Sequence, residues 1–152
     1  MERLARGLGW EEERLHEIYV AGLLHDLGKL SIPKKILDKP GPLDSTEIEI
    51  IRTHTYYTHR LLTEAGFPTR MAEWAAHHHE RLDGKGYPFA LAGKEIDEGS
   101  RLMAIADIFA ALTEDRHYRL AMTPGEALAL IQRGAGTIVD AHLVEMAKRV
   151  LV

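Results

Sequence analysis

A chain of 152 residues, 45% apolar and 28% charged, is long enough to bury one sizeable core, and nothing in it marks a second domain. It has no cysteine, which excludes disulfides, thiolate zinc sites, iron–sulfur clusters and cysteine nucleophiles and leaves His, Asp and Glu to hold any metal. A formal net charge of −4 argues against binding a nucleic-acid polymer by counterion release, and without a signal-like N-terminus or an apolar run near the ~18 residues of a membrane span, cytoplasm is expected.

Leu4 and Leu8 stand four apart ahead of Gly9, which predicts a short helix over residues 1–8. From Glu11 the spacing of Leu15, Ile18, Tyr19, Gly22 and Leu23 predicts a strong helix ended by Gly28. His25 and Asp26 then fall in its last turn. Burying an aspartate on an apolar face is costly unless a cation or donors meet it, and His25 beside it offers a second ligand. As an isolated pair they are weak evidence, since a satisfied hydrogen-bonded pair is the plainer reading. His16, set among glutamates, reads as a surface residue.

Residues 31–44 read as a loop punctuated by Pro33, Pro40, Gly41 and Pro42, with Lys34, Lys35 and Lys39 on a solvated face. Asp44-Ser45-Thr46-Glu47 has the form of a capping box and opens a helix to about Ala65. His54 shares the inward side of Ile51, three residues before it. His59 lies about 140° further round, so the two cannot easily ligate one ion, and His59 reads as surface. Phe67-Pro68 leads into a helix expected to run from Thr69 to about Glu80, with His77, His78 and His79 in its last turn. Consecutive helical residues diverge by ~100°, so two of the three can serve neighbouring ions while the third points away. Asp83-Gly84-Lys85-Gly86-Tyr87-Pro88 reads as a tight turn whose glycines admit close backbone approach to a ligand.

The stretch from Arg101 to Leu112 is apolar nearly all round, as in a buried helix, and Asp107 in its middle must be neutralised by a metal, a histidinium or an arginine. Arg116 and Arg119, three apart at the helix end, are either phosphate contacts or rim salt bridges. Thr123-Pro124-Gly125-Glu126 is a second capping box with Pro124 at the first helical position. The helix it opens is broken by Gly134-Ala135-Gly136, and a last helix from about Asp140 presents Leu143, Met146, Ala147, Val150 and Leu151 to the core. No stretch alternates with period two. The expectation is an all-α domain of six or seven helices.

The inward or costly polar residues are His25, Asp26, His54, two of the three consecutive histidines, and Asp107. A nitrogen-and-oxygen set without sulfur suits iron, manganese or zinc, and six ligands are too many for one tetrahedral ion and about right for two. Two ions ~3.5–4 Å apart promote in-line displacement at phosphorus, generating hydroxide and stabilising the leaving oxygen. The cluster thus favours metal-assisted phosphoester hydrolysis.

His25-Asp26-Leu27-Gly28-Lys29 resembles the signature of the HD phosphohydrolase superfamily. The run from His78-His79-Glu80-Arg81-Leu82-Asp83 to Gly84-Lys85-Gly86-Tyr87-Pro88 is similar to the extended signature of its HD-GYP family. The similarity extends over nearly the whole chain, through Ile32-Pro33, Ala106-Asp107, Leu112-Thr113 and Gly134-Ala135-Gly136-Thr137. It implies an HD-domain helical bundle and a bacterial signalling phosphodiesterase that cuts cyclic di-GMP to pGpG and, in some members, GMP. It also implies two divalent ions held by His25, Asp26, His54, His78, His79 and Asp107, with Asp26 bridging and His77 outside the site. Lys29 matches a lysine that contacts the scissile phosphate or leaving oxygen, and Tyr87, Arg116 and Arg119 match positions contacting the nucleotide. Family members usually carry a further helix with a histidine ligand before the region where this chain starts, so the chain, residues 1–152, is expected to be an N-terminally incomplete HD-GYP domain. Two expectations attach to that: a module impaired in catalysis that still binds nucleotide or a diguanylate cyclase domain, and apolar surface that drives homodimerisation.

Overall fold

A computed structural model describes residues 1–115 and 120–152. Among these, eight α-helices and two 3-10 turns form the whole of the regular structure, with no strand. Helix α1 (Glu2–Gly7) and α2 (Glu12–Leu24) are followed by a 3-10 turn, Leu27–Ser31, and a single helical turn, α3 (Lys34–Leu37). Then come α4 (Ser45–Glu64), α5 (Thr69–Ala76), the 3-10 turn Gly93–Glu95, α6 (Glu98–Thr113), α7 (Pro124–Gln132) and α8 (Ala141–Leu151). Seven of the eight helices lie where the apolar spacing predicts them. The eighth, α3, falls inside the expected loop, where Pro33 starts a turn that buries Ile36. No described helix is long and apolar enough to cross a membrane.

Local chemistry sets the helix ends. Asp44 accepts from the Glu47 amide while Glu47 reaches back to the Asp44 amide, both at 2.9 Å. Thr123 and Glu126 form the second expected box, and Asp140 accepts from the amides of His142 and Leu143. Each supplies acceptors to amides that the first helical turn leaves without partners.

The core is one cluster in which Leu15 and Ile18 of α2, Leu62 of α4, Trp74 of α5, Leu102 and Met103 of α6, and Val144 of α8 are nearly inaccessible. Trp74 lies flat on the start of α6, where a Cβ at Gly99 would stand 2.4 Å from the indole. Its Nε1 donates to Asp97, the residue that also caps α6 by accepting from Gly99 N at 2.8 Å. Trp10 packs on Trp74 with ring centres 5.5 Å apart, and the Arg14 guanidinium covers Trp10 at 3.4 Å. These contacts tie the turn between α1 and α2 to α2, α5 and α6 at one end of the bundle. Asp97→Ala removes a helix cap and the indole's acceptor together, so a loss of about 1–3 kcal/mol is expected, measurable by urea unfolding.

Candidate metal centre

The residues singled out in the sequence come from four parts of the fold. Helix α2 ends at Leu24, one turn earlier than expected, and His25 is its C-cap. Asp26 then opens the 3-10 turn. The early stop has a steric cause. Gly28 is pressed against α4 so closely that a Cβ would stand 1.9 Å from the His54 carbonyl oxygen and 2.6 Å from the Thr58 nitrogen. Thr58 secures the seat by accepting from Gly28 N at 2.9 Å and donating to the His25 carbonyl at 3.0 Å. A continued helix could not make this contact, and the turn brings the His25–Asp26 pair level with His54.

Helix α5 also stops short of its expected end. It closes at Ala76, and His77 to Glu80 form a turn in which the Glu80 amide donates to the His77 carbonyl at 2.9 Å. The buried Glu80 carboxylate accepts from the amides of Phe89 and Leu91 at 2.7 and 3.0 Å. This draws the glycine loop back under the histidines, and Gly86 sits where a Cβ would stand 2.5 Å from Arg81 N and Glu80 Cα. Arg81 and the Lys85 amide both bond Asp83, which fixes the turn before Tyr87. The three histidines therefore separate by a turn, not by helical rotation. His78 and His79 lie with ring centres 4.0 Å apart, while His77 packs away from them against Phe89 at 5.4 Å and nearly parallel to His59 at 6.2 Å. His59, expected at the surface, is half-buried by this stack. His16 is exposed.

Three imidazoles share one arrangement. Nδ1 of His25, His54 and His78 lies 2.7 Å from the carbonyl three residues earlier, those of Gly22, Ile51 and Ala75. A carbonyl only accepts, so in each ring Nδ1 carries the proton and Nε2 is aimed at the common space. Nε2 of both His54 and His78 is buried without a hydrogen-bond partner. Ligand atoms of His54, His78 and His79 all lie within 4.8 Å of one another, and so do those of His25, Asp26 and His78. Asp26 stands between the groups, with Oδ1 3.3 Å from His54 Nε2, outside hydrogen-bond direction, and Oδ2 3.5 Å from His25 Nε2. Asp107 of α6 closes the ring with Oδ1 3.7 Å from His25 Nε2. Lys29 Nζ contacts Asp26 Oδ2 at 2.5 Å.

The protonation states follow from burial and charge. Burial, helped by the neighbouring His79 and His25, pushes His78 down to about 3, and burial pushes His79 down to about 4. Burial would raise Asp26, but the Lys29 ammonium bonded to it and the charge of His25 outweigh it and hold the carboxyl well below its usual range. Asp107 is likewise held low against its burial by His25, His78 and His79. For His25 burial works downward, yet Asp107, the Gly22 carbonyl and Asp26 carry it above its ordinary value. The neutral imidazoles of His78 and His79 beside ionised carboxylates are what a divalent cation needs from its ligands. Two orphaned buried nitrogens within a nitrogen-and-oxygen set fit such ions and are otherwise costly to keep.

A sequence profile for the HD domain matches residues 1–143. The chain belongs to the HD domain family. It is similar to 3'3'-cGAMP-specific phosphodiesterase 1 of Vibrio cholerae serotype O1, with 43% identity over 131 residues, 86% of this chain and 30% of that protein. It is also similar to a cyclic di-GMP phosphodiesterase of Thermotoga maritima, with 39% identity over 145 residues, 94% of this chain and 39% of the relative. The HD domain here thus spans between 30% and 39% of the length of these curated relatives. Among solved structures, an HDG"Y"P protein from Bdellovibrio bacteriovorus matches with a TM-score of 0.75 at 18% identity, over 97% of this chain and 47% of that one. A V. cholerae cyclic GMP-AMP specific phosphodiesterase matches with a TM-score of 0.73 at 20% identity, over 99% of this chain and 41% of that one. At these identities the likeness is one of fold.

Within this HD domain, His25, Asp26, His54, His78, His79 and Asp107 converge, Lys29 reaches Asp26, and Tyr87 packs on His79 with ring centres 4.9 Å apart. Arg116 and Arg119 lie outside the described residues. Two roles escaped the sequence reading, those of Thr58 and Glu80. Thr58 had a signal, because a threonine one turn after His54 shares its inward face. Glu80 stands in the signature run, but its amide partners are set by the loop's path.

His78 belongs to both triads, so His78→Ala is expected to cost more than half the bound metal by elemental analysis, whereas His77→Ala retains it. Thr58→Val removes both bonds to the turn, and a loss of about 1–3 kcal/mol is expected by thermal unfolding, together with weaker metal retention against a chelator.

Proposed function

We propose that this HD domain is the hydrolytic part of a metal-dependent phosphodiesterase that opens cyclic dinucleotides. Cyclic di-GMP is the leading substrate, with pGpG as product and GMP after a second cut. The observation that supports it most directly is the pair of buried, partnerless Nε2 atoms on His54 and His78, converging with Asp26. His25, His54, His78, His79, Asp26 and Asp107 would hold two divalent ions, iron or manganese before zinc, with Asp26 between them. Such ions, when bound, supply Lewis acidity and a nucleophile at neutral pH.

The remaining work falls to side chains. Lys29 Nζ, already directed at Asp26, is a cation within reach of the scissile phosphate and can hydrogen-bond the oxygen that leaves. Burial pushes the Tyr87 phenol up to about 12, so it stays protonated and donates, never presenting a negative charge to a phosphate. Hydrolysis joins one water oxygen to phosphorus and breaks one ring P–O bond, leaving a linear dinucleotide with a terminal phosphate monoester.

Because the relatives include proteins named for 3'3'-cGAMP and for cyclic di-GMP, the assay should offer both. Protein loaded with Mn²⁺ or Fe²⁺ under reducing conditions is expected to release pGpG from cyclic di-GMP. Asp26→Ala should lower the rate at least ~100-fold and reduce bound metal. Fully loaded protein that leaves both dinucleotides intact would defeat the proposal.

A further inference from the structure

Arg52 lies on α4 two residues before His54, and its guanidinium carbon is 5.2 Å from the centre of the Tyr87 ring. That ring is itself packed on His79, so the cation stands one aromatic ring beyond the candidate metal centre. Arg52, Tyr87 and His79 thus form a continuous stack of contacts leading to the centre. Among the described residues, Lys29 is bonded to Asp26 and stands at the scissile phosphate in the reading above, while Arg81 clamps Asp83 with two N–H groups at 3.1 and 2.7 Å.

Arg52 is held more loosely. Its partner is Glu49, one turn earlier at 2.7 Å, and the two side chains are 47% and 69% exposed. An exposed ion pair within one helical turn contributes little to stability, so an arriving anion can displace the carboxylate. Contact with Tyr87 meanwhile holds the guanidinium beside the centre, where its positive charge can meet a phosphate.

A cyclic dinucleotide carries two phosphodiesters, and only one can occupy the centre. We propose that Arg52 binds the other phosphate, exchanging Glu49 for its oxygens, and so selects a two-phosphate ring over a simple diester. The assignment rests on the phosphodiesterase reading above. It makes Arg52 a substrate-binding residue that the sequence did not distinguish from any surface arginine.

The test compares KM for cyclic di-GMP with KM for bis(p-nitrophenyl) phosphate, which has a single phosphate, in metal-loaded wild type, Arg52→Ala and Arg52→Lys. A charge-assisted hydrogen bond corresponds to roughly 10- to 100-fold, so the ratio of the two KM values is expected to rise by that factor in Arg52→Ala and to be largely restored in Arg52→Lys. An unchanged ratio overturns the proposal, and so does a parallel rise in both KM values, which marks a structural role. A lysine variant as poor as the alanine variant also overturns it, pointing instead to a nucleobase stacked on the guanidinium. If wild type turns over neither substrate, the phosphodiesterase reading falls by itself, and Arg52 is judged by equilibrium titration with cyclic di-GMP. Affinity at least about tenfold weaker in Arg52→Ala supports the contact, and equal affinity removes it.

Discussion

The turn after His25 can lie on α4 only because Gly28 carries no side chain. A methyl there would meet the His54 carbonyl and the Thr58 amide at distances that no packed atoms tolerate, and backbone on both sides leaves nothing flexible to yield. Much of the centre's geometry follows from that seating. It ends α2, turns Asp26 out of helical register, and places a carboxylate beside an imidazole from an element about thirty residues away in sequence. Thr58 makes the contact directional by bonding the turn on both sides of Asp26. A donor or acceptor fixed this way costs little to hold in place, because its partner is rigid helix backbone.

The same economy appears in the imidazoles. Each of the three bonded rings uses a carbonyl of its own preceding turn to fix the proton on Nδ1. The residue that supplies the ligand therefore also supplies its orienting acceptor, a role that other metal sites assign to separate carboxylates or carbonyls. The expense lies in the open Nε2 atoms. His54 and His78 keep theirs buried and unbonded, a local destabilisation that the surrounding apolar helices must outweigh. Such a deficit makes sense where a cation completes the shell.

Much of this was legible in the sequence, for identifiable reasons. Helix positions could be read because capping boxes at Asp44 and Thr123 and the apolar runs of α2 and α6 are local signals. His25, Asp26, His54 and Asp107 could be read because each was a histidine on or beside an inward face or a carboxylate expensive to bury, whereas the choice of His78 and His79 among three histidines came from the family resemblance. What could not be read was where helices stop early. Gly28 marked the end of α2 one turn too late, since the stop is set by contact with α4 and not by the glycine's own conformation. Likewise the sequence predicts α5 as far as Glu80, whereas the helix ends at Ala76 and the Glu80 carboxylate accepts from loop amides 9 and 11 residues further on. The resemblance set His77 apart from the site, and in the structure it is buried away from His78 and His79 against Phe89 and His59. Its neighbours Phe89 and His59 were invisible to helical geometry because they arrive from a returning loop and from α4.

The Glu80 bonds have one more consequence. The chain from Glu80 to Leu91 is closed on itself by a single buried carboxylate, with the Arg81–Asp83 clamp and the close contact at Gly86 inside the closure. Such a loop is ordered by the folding of the domain and does not wait for a ligand. The conformational entropy of holding Tyr87 against His79 is therefore lost before any encounter. A molecule that touches this wall meets a preorganised surface, and the contact free energy is not spent on ordering the loop.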